Sequence, residues 1–430
     1  MNILPTPATS APATYAALDA WIDAHFDEQV RFLQALVQVP TDTPPGNNTP
    51  HALHTAKLLQ GFGYAAQAFE VPQAQVLAAG LESITNLIVR REFSAGKTVA
   101  LNAHGDVVPP GEGWTRPPYG GAIEGDLDTG TIYGRATAVS KCDFSTFTFA
   151  LRALEAAAAQ GLVAPKGAVE LHFTYDEECG GSLGPEFLLK NGHTQPDLMI
   201  AAGFSYQVIT AHNGCLQLEV TVHGKMAHAA IPDSGVDAMQ GATAVLNALY
   251  AENVKYKTVF SKVAGITHPY VNVGLIAGGT NTNVIPGKVV LKVDRRMIPE
   301  EDAVQVEADI RAVIAGAMHA LQGNGVGCTV DVRRMFVARA LTPLAGNAPL
   351  VAALQAHGEA VFGEPIPALG TPLYTDVRIY GEAGIPGVIY GAGPRTVLES
   401  HAKRADERLQ LADLRRATKV VARTLADVLA

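Results

Sequence analysis

The chain has 430 residues, 48% of them hydrophobic and 17% charged, with a formal net charge of −9. That length exceeds one ordinary hydrophobic core and points to two domains. The acidic balance offers neither nucleic acid nor an anionic membrane a basic footprint, and no apolar run approaches the ~18–20 residues of a membrane span.

In chain order, MNILPTPATSAPATYAALDAW shows neither a basic n-region nor an apolar h-region, so no signal peptide and a cytoplasmic location are expected. A helix is predicted over 15–39, where apolar residues recur at helical spacing until Pro40. PTDTPPGNNTP (40–50) is turn chemistry. Strands are predicted over 86–90 and 98–108, a helix over 144–160 stopped by Gly161, and further strands over 168–178 and 198–202. Short apolar runs separated by helices predict parallel strands covered on both faces. From about residue 213 the rhythm becomes β-α-β-β-α-β, the ferredoxin-like order. After about 339 the alternation resumes and ends in a helix over DLRRATKVVARTLADVL. The expected domains are an α/β unit from 1–212 and 340–430, with 213–339 inserted. The four cysteines (Cys142, Cys179, Cys215, Cys328) lack CxxC spacing, so neither a disulfide framework nor a zinc ribbon is indicated.

Residues able to do chemistry cluster at predicted strand ends, where an open α/β sheet places its ligands. In LNAHGDVVPPGEGW, His104 and Asp106 stand two apart, and a carboxylate beside an imidazole fixes its tautomer and raises its basicity. In TYDEECGG an apolar strand runs into three successive acids followed by Gly180 and Gly181, so Glu177 and Glu178 can divide ligation from proton transfer. In LESHAKRADE, His401 follows the strand GVIYGAG. Alone, each group is more simply structural; three at strand ends of one sheet favour a metal site.

With these blocks in order, the chain resembles the metallopeptidase and amidohydrolase family of aminoacylase, acetylornithine deacetylase, succinyl-diaminopimelate desuccinylase and glutamate carboxypeptidase. The resemblance covers nearly the whole length, including VHGKMAHAAIPDSGVDA and GGTNTNVIPGKVVLKVDRR. It implies a zinc-peptidase-like α/β/α catalytic domain with an inserted ferredoxin-like lid that forms a homodimer. His104 and His401 resemble the two terminal histidine ligands, Glu178 a metal ligand, Glu177 the general base, and Asp106 the residue orienting His104. His228 resembles the histidine that reaches the partner subunit's active site to stabilise the oxyanion. Asn283 and Arg296 resemble the groups holding the substrate's carboxylate end.

Two stretches depart from the family pattern. In YGRATAVSKCD the metal-bridging aspartate is replaced by Val139, and the glycine after Lys141 by Cys142. After PDLMI, where the family has a terminal acidic ligand, Ala202 and Gly203 stand. Asp143 is expected as a helix N-cap. His212, in TAHNGC, is either structural or an extra ligand. Cys142 and Cys179 are expected as small buried residues. Subtracting the lost acids leaves His104, Glu178 and His401, a recognised set for one catalytic zinc. One divalent transition metal per chain (Zn, Mn or Co) is therefore expected. The expected activity is hydrolysis of the amide of a small N-acyl amino acid or peptide-like substrate carrying a carboxylate. Release of ammonia from a small amine, aromatic amines included, and a non-catalytic binding role are the alternatives.

Overall fold

The computed structural model describes residues 10–430; the first nine residues of the stretch inspected for a signal peptide lie outside them. The described chain divides into two units. One holds the described residues up to Thr210, Pro343–Leu369 and Thr375–Ala430; the other holds Ala211–Thr342 and Gly370–Tyr374.

The first unit is built on an eight-stranded sheet. Its order is Gln67–Glu70, Thr85–Glu92, Ala168–Thr174, Thr98–His104, Leu198–Ala201, Gly387–Ile389, Val208–His212 and Ala368–Thr371. Thr98–His104 pairs in parallel with Ala168–Thr174 and Leu198–Ala201, and Gly387–Ile389 in parallel with Leu198–Ala201. Thr85–Glu92 runs antiparallel to Ala168–Thr174, and Val208–His212 antiparallel to Gly387–Ile389. The sheet is thus mixed, not wholly parallel as the sequence pattern suggested. Residues 93–97, between Thr85–Glu92 and Thr98–His104, are too few for a crossover helix, so those two strands run opposite ways.

The helix Lys141–Ala159 buries Phe144, Phe147, Phe149, Leu151 and Leu154 completely, and Phe144 stacks on Phe173 of the sheet at 4.1 Å between centroids. Each such side chain contributes about 1.5–3 kcal/mol by leaving water, which fixes the start of this helix against the sheet beside the site. The N-terminal helical pattern forms two helices, Pro12–Ala24 and Phe26–Val37. The break falls at His25, whose Nδ1 meets the Trp21 carbonyl at 2.8 Å while its ring stacks on the indole.

In the second unit a four-stranded antiparallel sheet runs Tyr270–Gly278, Lys288–Met297, Gly214–His223, Thr329–Ala338. With the helices Ala238–Tyr256 and Ala303–Gly323 this is the ferredoxin-like order expected from the sequence. Alternate residues Leu216, Leu218, Val220 and Val222 enter its core. Both helices begin at an aspartate cap: Asp237 accepts from Met239 N, and Asp302 from Val304 N and Gln305 N. Residues 370–374 join this unit, which the sequence pattern did not anticipate. Gly370 N donates to Ala264 O at 2.7 Å and Asn213 N to Thr371 O at 3.1 Å. No helix of the described residues is long and apolar enough to cross a membrane.

Candidate functional site

His104 is the last residue of its strand and lies opposite Thr174, the last of the neighbouring parallel strand. Both strands therefore deliver their following residues to the same sheet edge. After Thr174 the chain turns through a short 3₁₀ segment, Glu177–Cys179, and then through Gly180 and Gly181 at φ 104° and 74°. The turn requires glycine at 181 twice over. The backbone is left-handed there, and a Cβ would run into the Asp376 carboxylate. Arg378 Nη2 fixes the turn by donating to the Gly180 carbonyl at 2.6 Å.

Asp106, fully buried, ties the site together. Its carboxylate accepts the backbone N–H of Glu178 at 2.9 Å and of Glu177 at 3.2 Å, and lies 3.4 Å from His104 Nδ1. The Asp106 carbonyl oxygen is 2.9 Å from the same nitrogen. His104 is thereby held with Nε2 towards Glu177 Oε2, 3.8 Å away. Asp106 therefore holds both the imidazole and the turn that carries the two glutamates.

Burial pushes the Glu177 carboxyl up to about 7, against the opposing pull of His104. Burial acts to lower His104, but the carboxylates of Glu177 and Asp106 outweigh it and raise the imidazole to about 10. Burial thus brings the Glu177 carboxyl towards neutrality, where a general base works best. Two further buried acids adjoin them. Asp176 is raised to about 8 by burial and then by Asp106; Asp376 is raised well above its ordinary value by burial and then by Glu177. Asp176 Oδ1 and Asp376 Oδ2 are both buried without a hydrogen-bond partner. Asp376 was not singled out from the sequence, because an aspartate one residue before the helix Val377–Glu382 looks like an ordinary cap.

The third block brings a residue that the sequence did not single out. His401 closes the short helix Val397–Ser400 at φ 54°, with Nδ1 3.1 Å from the Ala405 carbonyl oxygen, so Nε2 is the nitrogen it can offer. Two residues on, Lys403 Nζ donates to Glu178 Oε2 at 2.6 Å. Beneath them runs a buried ion pair, Arg135 Nη1 to Glu407 Oε2 at 2.5 Å. Glu407 also accepts from the backbone N–H of Ala138, Val139 and Lys403. It therefore joins the loop carrying Val139 to the loop carrying Lys403. In LESHAKRADE a loop lysine reads as solvent-facing, and only its geometry reveals the pairing.

A metal in this chain would fall to His104, Glu178 and His401. As the side chains stand they do not form such a set. Among the described residues no three His, Cys, Asp or Glu side chains converge to hold an ion, and Glu178 is engaged by the Lys403 ammonium. The three-ligand site expected from the sequence is therefore not assembled.

Other expectations also change. Asp143 is not the N-cap, which is Ser140; it sits inside the first turn of Lys141–Ala159 and its Oδ1 accepts from Ala392 N at 2.6 Å. Cys142 is buried as expected, but Cys179 is exposed. Gly203 packs so tightly on Ile389 that a Cβ would run into its Cγ2.

In the second unit, His228 and Asn283 are brought together. Ala227–His228 pairs with Val284–Ile285, and Ala229 N donates to the Asn283 carbonyl at 3.0 Å. Both side chains are exposed. Arg296 is already engaged by Asp294, Nε to Oδ1 at 2.7 Å. His212 is fully buried, with Nδ1 2.8 Å from the Asn213 carbonyl oxygen.

Comparison with known proteins adds four findings. The sequence profile described as Peptidase family M20/M25/M40 matches residues 100–427. A succinyl-diaminopimelate desuccinylase of Rhodospirillum rubrum is 27% identical over 405 residues, covering 91% of this chain and 96% of that protein. Among solved structures, human carnosine dipeptidase 1 superposes with a TM-score of 0.73 at 16% identity, over 99% of this chain and 100% of that one. An M20 family metallo-carboxypeptidase of Sulfolobus solfataricus gives 0.73 at 17%, over 93% and 99%.

Proposed function

The chain belongs to Peptidase family M20/M25/M40, metal-dependent hydrolases that act on amide bonds, and from that premise we propose that it hydrolyses the amide of a small N-acyl amino acid or peptide-like molecule bearing a carboxylate. The observation that carries the proposal is the Asp106-clamped pair of His104 and Glu177. Glu177, titrating near 7, takes the proton of the attacking water and returns it to the departing amine. One residue thus serves as base and then as acid, for typically 10²–10⁴-fold in rate. The positive charge of His104 and of Lys403 faces the carboxylates from the same edge and favours an oxyanion forming there.

The second unit supplies the remaining roles in this proposal. His228 is the residue a partner subunit lends to the oxyanion in a homodimer, and Arg296 with Asn283 receives the substrate carboxylate. Support for an acylated amino acid comes from the curated relative named a desuccinylase. Product analysis on a panel of N-acyl amino acids, dipeptides and aryl amines tests the reaction. Free carboxylic acid and amine in equal amounts are expected. Ammonia released from an amine substrate, with the amides untouched, would replace amide hydrolysis by deamination.

A further inference from the structure

We propose that the Lys403 ammonium is the resident cation at Glu178, standing where other members of the family keep a metal ion, so that this chain carries the positive charge of its reaction centre on a side chain of its own. Four observations converge on it. The ammonium lies 2.6 Å from Glu178 Oε2, a charge-assisted hydrogen bond that neutralises the carboxylate and sets a positive charge against an incoming cation. Val139 brings no carboxylate, and the Gly203 position has no room for one against Ile389. No other three-donor set replaces them among the described residues. Finally, the residue lacking the carboxylate and the residue bringing the ammonium hang from the same buried acid. Val139 N donates to Glu407 Oε1 and Lys403 N to Glu407 Oε2, each at 3.3 Å.

The chemistry is coherent. A dication needs anionic donors to repay the loss of its water shell. Glu178 with Lys403 is a neutral pair, and the histidines His104 and His401 alone bring no negative charge. An ammonium needs only one carboxylate and retains two further N–H donors. The Lys403 side chain remains half exposed at the site, so those donors can meet a substrate oxygen.

The proposal does not depend on which bond the enzyme cuts, and its test reads binding of Zn²⁺ alone. Dialysed full-length protein is titrated with Zn²⁺ by calorimetry as the native chain, Lys403→Met, Lys403→Arg and the double variant Lys403→Met/Glu178→Gln. Lys403→Met should bind one equivalent at least tenfold more tightly than the native chain. Lys403→Arg should behave like the native chain, and the double variant should lose the gain. Circular dichroism verifies that each variant is folded; Lys403→Arg keeps the cation and covers a failure of Lys403→Met to fold. Native and Lys403→Met chains that bind Zn²⁺ alike, whether tightly or weakly, would overturn the proposal, as would a Lys403→Arg chain that gains the site.

Discussion

Replacing Glu407 by glutamine should destabilise the first unit by about 3–5 kcal/mol, the cost of leaving one partner of a buried ion pair alone. The structure sets the magnitude. Arg135 and Glu407 side chains are each 1% exposed and their closest atoms are 2.5 Å apart, so the substitution leaves a buried guanidinium without its carboxylate. Arg135 would keep only the carbonyls of Pro109, Pro110 and Arg404. Glutamine can still serve some of the backbone N–H groups of Ala138, Val139 and Lys403, so the loss reports mainly the charge. Both tryptophans of the chain, Trp21 and Trp114, lie in the first unit, and Arg135 sits 5.3 Å from the Trp114 ring centroid. Tryptophan fluorescence in urea therefore follows the unfolding of that unit alone. The double variant Arg135→Met/Glu407→Gln should recover at least about 2 kcal/mol relative to the sum of the single losses, since no lone charge remains. A single loss below about 1 kcal/mol, or strict additivity in the double variant, would refute the reasoning from burial.

Further expectations follow from the same geometry. Because Glu177 must be ionised to accept a proton and is raised to about 7, kcat/KM should rise with pH through about 7; a profile flat from pH 5 to 9 would count against it. Mixing Glu177→Gln with His228→Ala subunits should restore activity through hybrid dimers in which one site is intact, and no recovery despite demonstrated subunit exchange would exclude a shared site. Gly203→Ala should cost about 1–3 kcal/mol by overpacking against Ile389, measured by the same urea unfolding; a neutral substitution would mean that the position tolerates a side chain and could take back a carboxylate.

Much of this was legible in the sequence, for identifiable reasons. The period-two strand CLQLEVTVHG and its neighbours revealed the ferredoxin-like unit because one face of each strand is buried and the other is not. His104, Asp106, Glu177 and Glu178 were legible because strand ends converge in a parallel sheet whatever the loops do. The direction of Thr85–Glu92 was not legible, since an apolar run is silent about its neighbour's orientation. Asp376 and Lys403 were missed for another reason. A cap-like aspartate and a loop lysine carry no local signature of burial or pairing, and their partners lie far away in sequence. The crowding of Gly203 by Ile389 likewise needs coordinates, for glycine alone does not say whether its missing side chain leaves space.

Glu177 is the residue on which the proposed reaction depends most, and one measurement addresses it directly: kcat/KM of Glu177→Gln on whichever amide the native chain cleaves fastest, with substrate affinity and urea stability measured alongside. Loss of proton transfer should lower kcat/KM by about 10²–10⁴-fold, while affinity and stability stay within a few-fold and about 1 kcal/mol of native, the spread of an ordinary substitution. A variant that turns over within a few-fold of the native chain would contradict the account, because the Asp106-clamped carboxylate would then not be the group that moves the proton.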